Sequence, residues 1–262
     1  MDDDTPPAAD ASFWSELRRF TPARIGLGRS GVALPTHEVL AFGWAHARAR
    51  DAVHTPLDQQ VLERELRTAA FDVRQVGSCA PDRATYLRRP DLGRQLDPQH
   101  HGALQQLPPA DIALVVGDGL SSLAVQRHAV PVLVALRQLL GAGLTCSPVV
   151  VARQARVAIG DDIGEQLRAR IVVVLIGERP GLSSPDSLGI YLTHAPRRGR
   201  RDAERNCISN VRPEGLPIHA AARKLAWHIG QALQRGLTGV GLKDESDLAL
   251  PAGASAAPLP PA

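Results

Sequence analysis

Two short segments of the chain combine side chains that could bind a ligand. The segment IVVVLIGERPGL, residues 171–182, is an unbroken apolar run that ends in a tight turn with Glu178 and Arg179. The segment RNCISN, residues 205–210, adds the thiol of Cys207 among small polar residues. Ligands of α/β proteins bind where such strands end. A carboxylate and a guanidinium at this point therefore predict a binding edge rather than plain scaffold.

Cys207 is the residue for which covalent catalysis has to be considered. A nucleophilic thiol needs a nearby base, held in place by a carboxylate or an amide. Glu204, Asn206 and Asn210 are close in sequence, but this stretch supplies no base. Because cysteine also packs as a small hydrophobic residue, we favour a packing role against a ligand over a nucleophilic one.

The segment GDGLSS, residues 117–122, lies where a phosphate-binding loop could lie, since backbone N–H groups at a helix start bind anions. Leu120 is followed by Ser121 and Ser122, so neither G-x-G-x-x-G nor the P-loop pattern is completed. We favour a tight strand-to-helix turn and keep the anion loop as the alternative. Asp118 could orient a ligand or a partner loop.

The remaining polar clusters favour loops over sites. His100 and His101 are adjacent, cannot easily share one metal, and no C-x-x-C occurs in the chain. The run RRGRR, 197–201, is interpreted as a solvated loop, with contact to an acidic partner or a ligand phosphate as the alternative. GLGRSG, 26–31, resembles an anion-binding loop but follows no clear strand, so we favour a flexible or docking loop over phosphate binding. We predict no metal site and no catalytic residue in this chain.

Composition restricts the class of protein. The chain has 262 residues, 44% hydrophobic and 22% charged, which is typical of a globular protein. A net charge of +3 is too small to argue for a nucleic-acid partner. Apolar stretches are too short to span a membrane, and MDDDTPPAAD at the start lacks the pattern of a signal peptide. Three cysteines, Cys79, Cys146 and Cys207, favour the reducing cytoplasm.

Strands must alternate with helices to position these segments. A strand opens the segment 111–122, and further strands are predicted at 148–153, 171–176 and 189–193. One helix is predicted to follow Ser122 and to end at Leu140, a second lies near 160–169, and a third covers 217–235. Apolar strands that alternate with helices are typical of a parallel sheet covered on both faces. The predicted fold class is α/β, a Rossmann-like parallel sheet flanked by helices, with a helical N-terminal region.

The chain divides into four predicted parts. Residues 1–11 and 251–262 are predicted to be disordered tails, because they are rich in Pro, Ala and polar residues. Residues 12–107 form a helical N-terminal region, in which His46 is expected to pack on a helical face. Residues 108–250 form the Rossmann-like domain that carries the binding edge.

Several long blocks resemble the small (light) subunit of bacterial ethanolamine ammonia-lyase. They are TPARIGLGRSGVALPTHEVLAFGWAHARARDAVHTPLD, DIALVVGDGLSS, RVAIGDDIGE, VLIGERPGLSSPDSLGIYLTHAP, NCISNVRPEGL and GLKDES. The blocks stand in the family's order, and the resemblance covers roughly residues 12–247. The resemblance implies a subunit of a carbon–nitrogen lyase that converts ethanolamine to acetaldehyde and ammonia by a radical mechanism with adenosylcobalamin.

The resemblance also implies a partner and a set of cofactor contacts. The large subunit is a TIM barrel that holds ethanolamine and supplies the catalytic residues, so this chain alone is expected to be inactive in a hetero-oligomer. The cofactor's lower, dimethylbenzimidazole side faces this chain. Val157 of the R-V-A block, Glu178 of G-E-R-P-G and Cys207 of C-I-S-N match the family's cobalamin contacts. The expected location is the cytoplasm, either free or inside a bacterial microcompartment.

The resemblance agrees with what the residues show. Corrinoid domains that replace the benzimidazole by a protein histidine carry D-x-H-x-x-G, and DDIGEQ, 161–166, has no histidine. The cofactor is therefore expected to keep its own base on cobalt. Two other functions stay open, a nucleotide- or sugar-phosphate enzyme that uses GDGLSS and a structural adaptor that docks through its N-terminal helices.

Overall fold

The computed structural model describes residues 11–247, and its centre is a six-stranded sheet. The strands are Val73–Gly77 (β1), Ile112–Gly117 (β2), Cys146–Arg153 (β3), Ile171–Gly177 (β4), Leu188–His194 (β5) and Arg205–Val211 (β6). Their order across the sheet is β1-β3-β2-β4-β5-β6. The pairings from β1 to β4 are parallel, whereas β4 with β5 and β5 with β6 are antiparallel.

Helices cover the two faces of the sheet unequally. The α-helices of the described residues are Ala11–Arg18 (α1), Thr36–His54 (α2), Gln59–Thr68 (α3), Arg83–Arg88 (α4), His101–Gln105 (α5), Ser122–Leu139 (α6), Ile159–Gln166 (α7) and Ile218–Arg235 (α8). Helices α6 and α8 pack together on one face, here called the α6/α8 face. Helix α7 lies on the opposite face, the α7 face, over β2 and β4.

The buried strands explain why the sheet forms. Every residue of β2 and β4 is buried, because helices cover both faces of these central strands. Leu114 and Val173 belong to the core beneath α6 and α8, and Val115 belongs to the core beneath α7. A Cβ on Gly160 of α7 would lie 2.2 Å from Cγ2 of Val174. Glycine at this position therefore lets α7 lie directly on the sheet.

The α/β fold and the helical N-terminal region predicted from the sequence are confirmed, with three differences. The sheet is mixed, because β5 returns from β4 as a hairpin and not through a crossover helix. The strands β1 and β6 were not predicted. His46 is exposed on α2, a helix in which Ala52 is the only buried residue, so its predicted packing is wrong within this chain.

Two other predictions have a different outcome. The predicted disordered tails, 1–11 and 251–262, lie outside the described residues except for Ala11. The division of the chain at residues 107 and 108 stays a prediction. Across residues 11–247, none of the helices is both long enough and apolar enough to cross a membrane.

Candidate functional site

The α7 face of the sheet is left open over β5 and β6. Helix α7 packs on β2 and β4, and α8 covers the opposite face of β5 and β6. Tyr191 on β5 and Cys207 on β6 are paired directly across the two strands, so both side chains point to the same face. Tyr191 is half-buried and Cys207 is exposed. The hairpin connection after β4 thus leaves a patch of sheet on which a ligand can lie.

A cavity of about 210 Å³ lies on this open part of the sheet. Its lining residues are Arg94, Arg156, Val157, Ala158, Tyr191, Asp202, Arg205 and Cys207. Val157 follows β3 at the start of α7, whereas Cys207 lies within β6. Two of the three residues predicted for the site, although distant in sequence, therefore share one cavity wall.

Glu178 lies beside this cavity, directly after β4. Its Oε2 accepts hydrogen bonds from the Ser187 hydroxyl and, at 3.2 Å, from the backbone N–H of Asn210. A Cβ on Gly189 would lie 3.0 Å from Oε1 of Glu178 and 3.2 Å from Cε2 of Tyr191. Glycine at position 189 therefore makes room for the carboxylate next to the Tyr191 ring. Glu178 does not line the cavity itself but stands on the same face.

GDGLSS forms a tight strand-to-helix turn between β2 and α6. Gly119 has a φ of +58°, and a Cβ there would lie 2.2 Å from the carbonyl oxygen of Gly177. The N–H of Leu120 donates to that same carbonyl at 2.9 Å. Ser121 accepts from the N–H of Ala124 at 3.3 Å and so caps α6. These internal contacts match the turn that was favoured over an anion-binding loop.

Asp118 of the same turn holds the loop that leads to Val157. Its carboxylate is buried and accepts from the N–H of Gln154 at 2.9 Å and of Ala155 at 2.8 Å. Burial raises the pKa of Asp118, and the two backbone hydrogen bonds and the charge of Arg83 oppose that rise. The function of Asp118 is thus to orient a loop of its own chain.

Tyr86 supports the same loop from its other side. Its hydroxyl donates to the carbonyl of Ala155 at 3.0 Å, and the guanidinium of Arg156 lies 4.3 Å from the ring centre. Burial raises the pKa of Tyr86 to about 12, so the phenol keeps its proton at neutral pH. The loop after β3 is therefore fixed by both a carboxylate and a phenol.

A buried ion pair joins α7 to β6 at the far side of the cavity. Arg205 and Asp161 are both almost fully buried, with 2.5 Å between Nη1 and Oδ1. Arg205 also donates to Thr193 Oγ1 at 3.2 Å and to the carbonyl of Arg200 at 2.8 Å. Because removing one partner of such a pair leaves an uncompensated charge, we expect this pair to fix where α7 lies against β6.

The Arg-rich run 197–201 is tied partly to carboxylates of its own chain. Arg198 pairs with Asp162 at 2.7 Å, and Arg200 pairs with Glu204. These internal pairs favour the loop interpretation of the run over a contact with an acidic partner.

The electrostatics of the site favour a binding wall over a nucleophile. Although Cys207 is exposed on the open face, the surrounding protein atoms desolvate its thiol in part, and this raises its pKa. The Tyr191 hydroxyl opposes the rise, and the charge of Glu178 adds to it. Burial and the neighbouring Cys207 and Glu178 raise the pKa of Tyr191 as well. Both groups are therefore protonated at neutral pH. No histidine is among the residues that line the cavity in the described part of the chain.

Within residues 11–247, no group of three or more His, Cys, Asp or Glu side chains is arranged to hold a metal ion. The two adjacent histidines, His100 and His101, belong to no such group.

Tyr86, Arg156 and Tyr191 were not predicted from the sequence as residues of the site. One signal was present for Tyr191, since it alternates with the apolar Ile190 and Leu192 and must face the opposite side of its strand. No sequence signal pointed to Tyr86 or Arg156, because their roles depend on contacts between distant segments.

The family model and the individual relatives that match this chain all point to one protein family. A sequence model of the family described as "Ethanolamine ammonia-lyase light chain (EutC)" matches residues 11–243. A protein of Azotobacter vinelandii is 53% identical over 261 residues, which cover 97% of this chain and 96% of that protein. One of Ralstonia nicotianae is 52% identical, covering 95% and 94%, and one of Pseudomonas aeruginosa is 52% identical, covering 93% and 91%.

All three relatives are named ethanolamine ammonia-lyase small subunit. The match extends over nearly the whole of each chain and includes the segments that carry Val157, Glu178 and Cys207. The chain therefore belongs to the ethanolamine ammonia-lyase light-chain family, the small subunits of a carbon–nitrogen lyase.

Proposed function

We propose that the open face of β5 and β6 binds the lower side of adenosylcobalamin, while a larger partner subunit with a TIM barrel holds ethanolamine. The observation that carries this proposal is that Val157 and Cys207 share one cavity wall and Glu178 stands beside it on the same face. A small subunit implies a larger partner, so the chain is part of a hetero-oligomer.

The size of the site fits one part of a large cofactor. Pockets that enclose a whole small molecule measure roughly 300–1,000 Å³, and the cavity here is about 210 Å³. It could hold a side arm of the corrinoid, and the open sheet beside it would leave room for the ring. The position of Gly189 supports this arrangement, because no Cβ projects there between Glu178 and Tyr191.

The chemical groups of the site also fit the side amides of a corrin ring. Within the described residues, Oε2 of Glu178 is engaged by Ser187 and Asn210, whereas Oε1 accepts no hydrogen bond. Oε1 can accept one from an amide N–H₂ group. Val157 and the protonated thiol of Cys207 supply apolar contact. When bound, the cofactor supplies radical chemistry by homolysis of its cobalt–carbon bond, and this chain supplies orientation and exclusion of water.

Of the two functions left open by the sequence, the phosphate enzyme is not favoured. Its loop would be GDGLSS, where the carboxylate of Asp118 and the N–H of Leu120 are engaged inside the chain. An experiment can distinguish the structural adaptor from the proposed cofactor-binding subunit. If the chain were only an adaptor, it would assemble with the large subunit, but substitutions of the cavity residues would not change cobalamin affinity.

The test is to express the chain alone and together with the large subunit. We expect no lyase activity from the chain alone, and activity from the complex only when adenosylcobalamin is added. Absorbance titration of the complex with cobalamin should show saturable binding. Turnover of ethanolamine by the isolated chain would refute the division of labour, and a complex that is active without cobalamin would refute the cofactor.

We also propose a cytoplasmic location, free or inside a bacterial microcompartment. The three cysteines of the chain, Cys79, Cys146 and Cys207, are all unpaired thiols in the structure, which is typical of a reducing compartment. Fractionation of cells grown on ethanolamine tests this, since an enclosed enzyme would sediment with the compartment shells and a free one would stay in the supernatant.

A further inference from the structure

Two arginine side chains of the cavity have no hydrogen-bond or carboxylate partner among residues 11–247. Arg94 and Arg156 line it together with Val157 and Cys207. Within residues 11–247, neither guanidinium donates a hydrogen bond or pairs with a carboxylate, and Nε of Arg156 is buried without a partner. Other arginines of this region are paired with carboxylates, namely Arg198 with Asp162, Arg200 with Glu204 and Arg205 with Asp161.

The backbone holds these two arginines close to each other. The N–H of Arg156 donates to the carbonyl of Gly93 at 2.7 Å, so the residue next to Arg94 is bonded directly to Arg156. A Cβ on Gly93 would lie 3.0 Å from Cγ of Arg156 and 2.9 Å from Cδ2 of Tyr86. A side chain at position 93 would crowd both neighbours, so glycine there keeps the backbone of Arg94 next to that of Arg156.

The Arg156 side chain is also pre-organised. Its guanidinium lies 4.3 Å from the centre of the Tyr86 ring, a stacking position that restricts its rotamers. The Tyr86 ring is itself fully buried, so it forms a rigid support. A guanidinium held in this way loses little conformational entropy when it binds an anion.

The charge of the cavity wall is not neutralised locally. Asp202 is the one carboxylate among the lining residues that belong to the described chain, and its Oδ1 lies 3.4 Å from Nε of Arg205. Arg205 already pairs with Asp161. Asp202 therefore faces a third arginine and leaves the positive charge of Arg94 and Arg156 uncompensated. Guanidinium groups match the geometry of phosphate oxygens and can bind them in pairs.

We propose that Arg94 and Arg156 bind the phosphate of a ligand that occupies this cavity. The inference rests on the proposed function, under which that phosphate is the phosphodiester in the nucleotide arm of cobalamin. The arm joins the corrin ring to the dimethylbenzimidazole base, and the phosphodiester is its anionic group. The two arginines thus fix the arm, while Val157 and Cys207 contact apolar parts of the cofactor.

The experiment compares three corrinoids with the assembled complex. Cobalamin has the phosphate and the base, cobinamide phosphate has the phosphate without the base, and cobinamide has neither. Arg94→Gln and Arg156→Gln are each titrated with all three by absorbance. The control is Arg153→Gln, an exposed arginine three residues before Arg156 that does not line the cavity.

We expect each of the two variants to bind cobalamin and cobinamide phosphate about tenfold to a hundredfold more weakly. Binding of cobinamide should stay within about twofold of wild type, which also shows that the variants are folded. Added salt should weaken cobalamin binding by the wild-type complex more than by the variants, because the lost contact is ionic. The Arg153→Gln complex should match wild type throughout.

Two outcomes would overturn the assignment without touching the proposed function. One is unchanged cobalamin affinity in both variants, and the other is an equal loss for all three corrinoids, which would make the arginines supports of the wall only. A wild-type complex that binds no cobalamin would instead refute the proposed function, and the assignment with it.

Discussion

Asp118 and Ala155 are joined by a hydrogen bond of 2.8 Å between a buried carboxylate oxygen and a backbone N–H. The bond connects the turn after β2 to the loop after β3, and Val157 lies two residues further along that loop. A second bond, from the N–H of Gln154 at 2.9 Å, completes the attachment. One face of the candidate site thus depends on a residue that never reaches the cavity.

The first prediction concerns Asp118→Asn. The amide keeps the size of the carboxylate but has only one acceptor oxygen, so one of the two backbone N–H groups loses its partner. We expect the free energy of unfolding to fall by about 1–3 kcal/mol. Hydrogen exchange at Gln154 and Ala155 should become faster, and cobalamin affinity of the complex should fall with it.

The control for this variant is Asp58→Ala, which removes the cap of α3 far from the site. Asp58 accepts from the N–H of Val61 at 3.0 Å, and its loss costs about 1 kcal/mol. This variant should lose stability and keep its cobalamin affinity. Equal affinity in the Asp118→Asn complex would show that the loop does not need this anchor.

The second prediction concerns Glu178→Leu. Leucine removes the acceptor for Ser187 and Asn210 and the free Oε1 that we assign to a corrin side amide. Binding of cobalamin to the complex should become weaker by about 1–3 kcal/mol, because polar groups are left without partners. Absorbance titration measures it. Ser187→Ala is the control, since it removes only the internal bond and leaves Oε1 in place.

The third prediction concerns Gly189→Ala. The new Cβ would lie 3.0 Å from Oε1 and 3.1 Å from Cγ of Glu178, so the carboxylate must move by a few tenths of an ångström. Because the obstructing group is a side-chain end, we expect a melting temperature close to wild type and a weaker affinity for cobalamin. The control is Gly230→Ala in α8, where the new Cβ would meet open space. This variant should lower neither the melting temperature nor the cobalamin affinity. An unchanged affinity in Gly189→Ala would argue against the position assigned to Glu178.

The fourth prediction concerns the pH dependence of Cys207 alkylation. Partial desolvation by the surrounding protein and the charge of Glu178 raise the pKa of this thiol above its ordinary 9.0, against the effect of the Tyr191 hydroxyl. Only the thiolate reacts with iodoacetamide, so the rate should be low at neutral pH and should rise about tenfold per pH unit up to the raised pKa. Peptide mass spectrometry distinguishes Cys207 from Cys79 and Cys146. Bound cobalamin should slow the reaction, and a rate that levels off below pH 8 would contradict the raised pKa.

The central sheet could be predicted from the sequence, whereas its edges could not. The β2 and β4 strands are unbroken apolar runs because both of their faces are covered. The β1 strand, VRQVG, and the β6 strand, RNCISNV, carry polar side chains, since each lies at an edge of the sheet. Edge strands with an open face lack the apolar pattern on which sequence analysis depends.

The same reason limits the prediction of the site. Val157, Glu178 and Cys207 were selected through a family resemblance, and the structure places them on one face. The partners that position them depend on distant segments, as when the Tyr86 hydroxyl donates to the Ala155 carbonyl. Composition and spacing cannot reveal such a contact, because no local pattern links the two residues.

The open face over β5 and β6 has a thermodynamic consequence for the complex. No helix of the described chain covers Cys207 there, so the partner subunit would have to cover the cofactor from above. Cofactor retention and subunit assembly would then be coupled reciprocally. Any factor by which the large subunit tightens cobalamin binding must equal the factor by which cobalamin tightens the association of the two subunits.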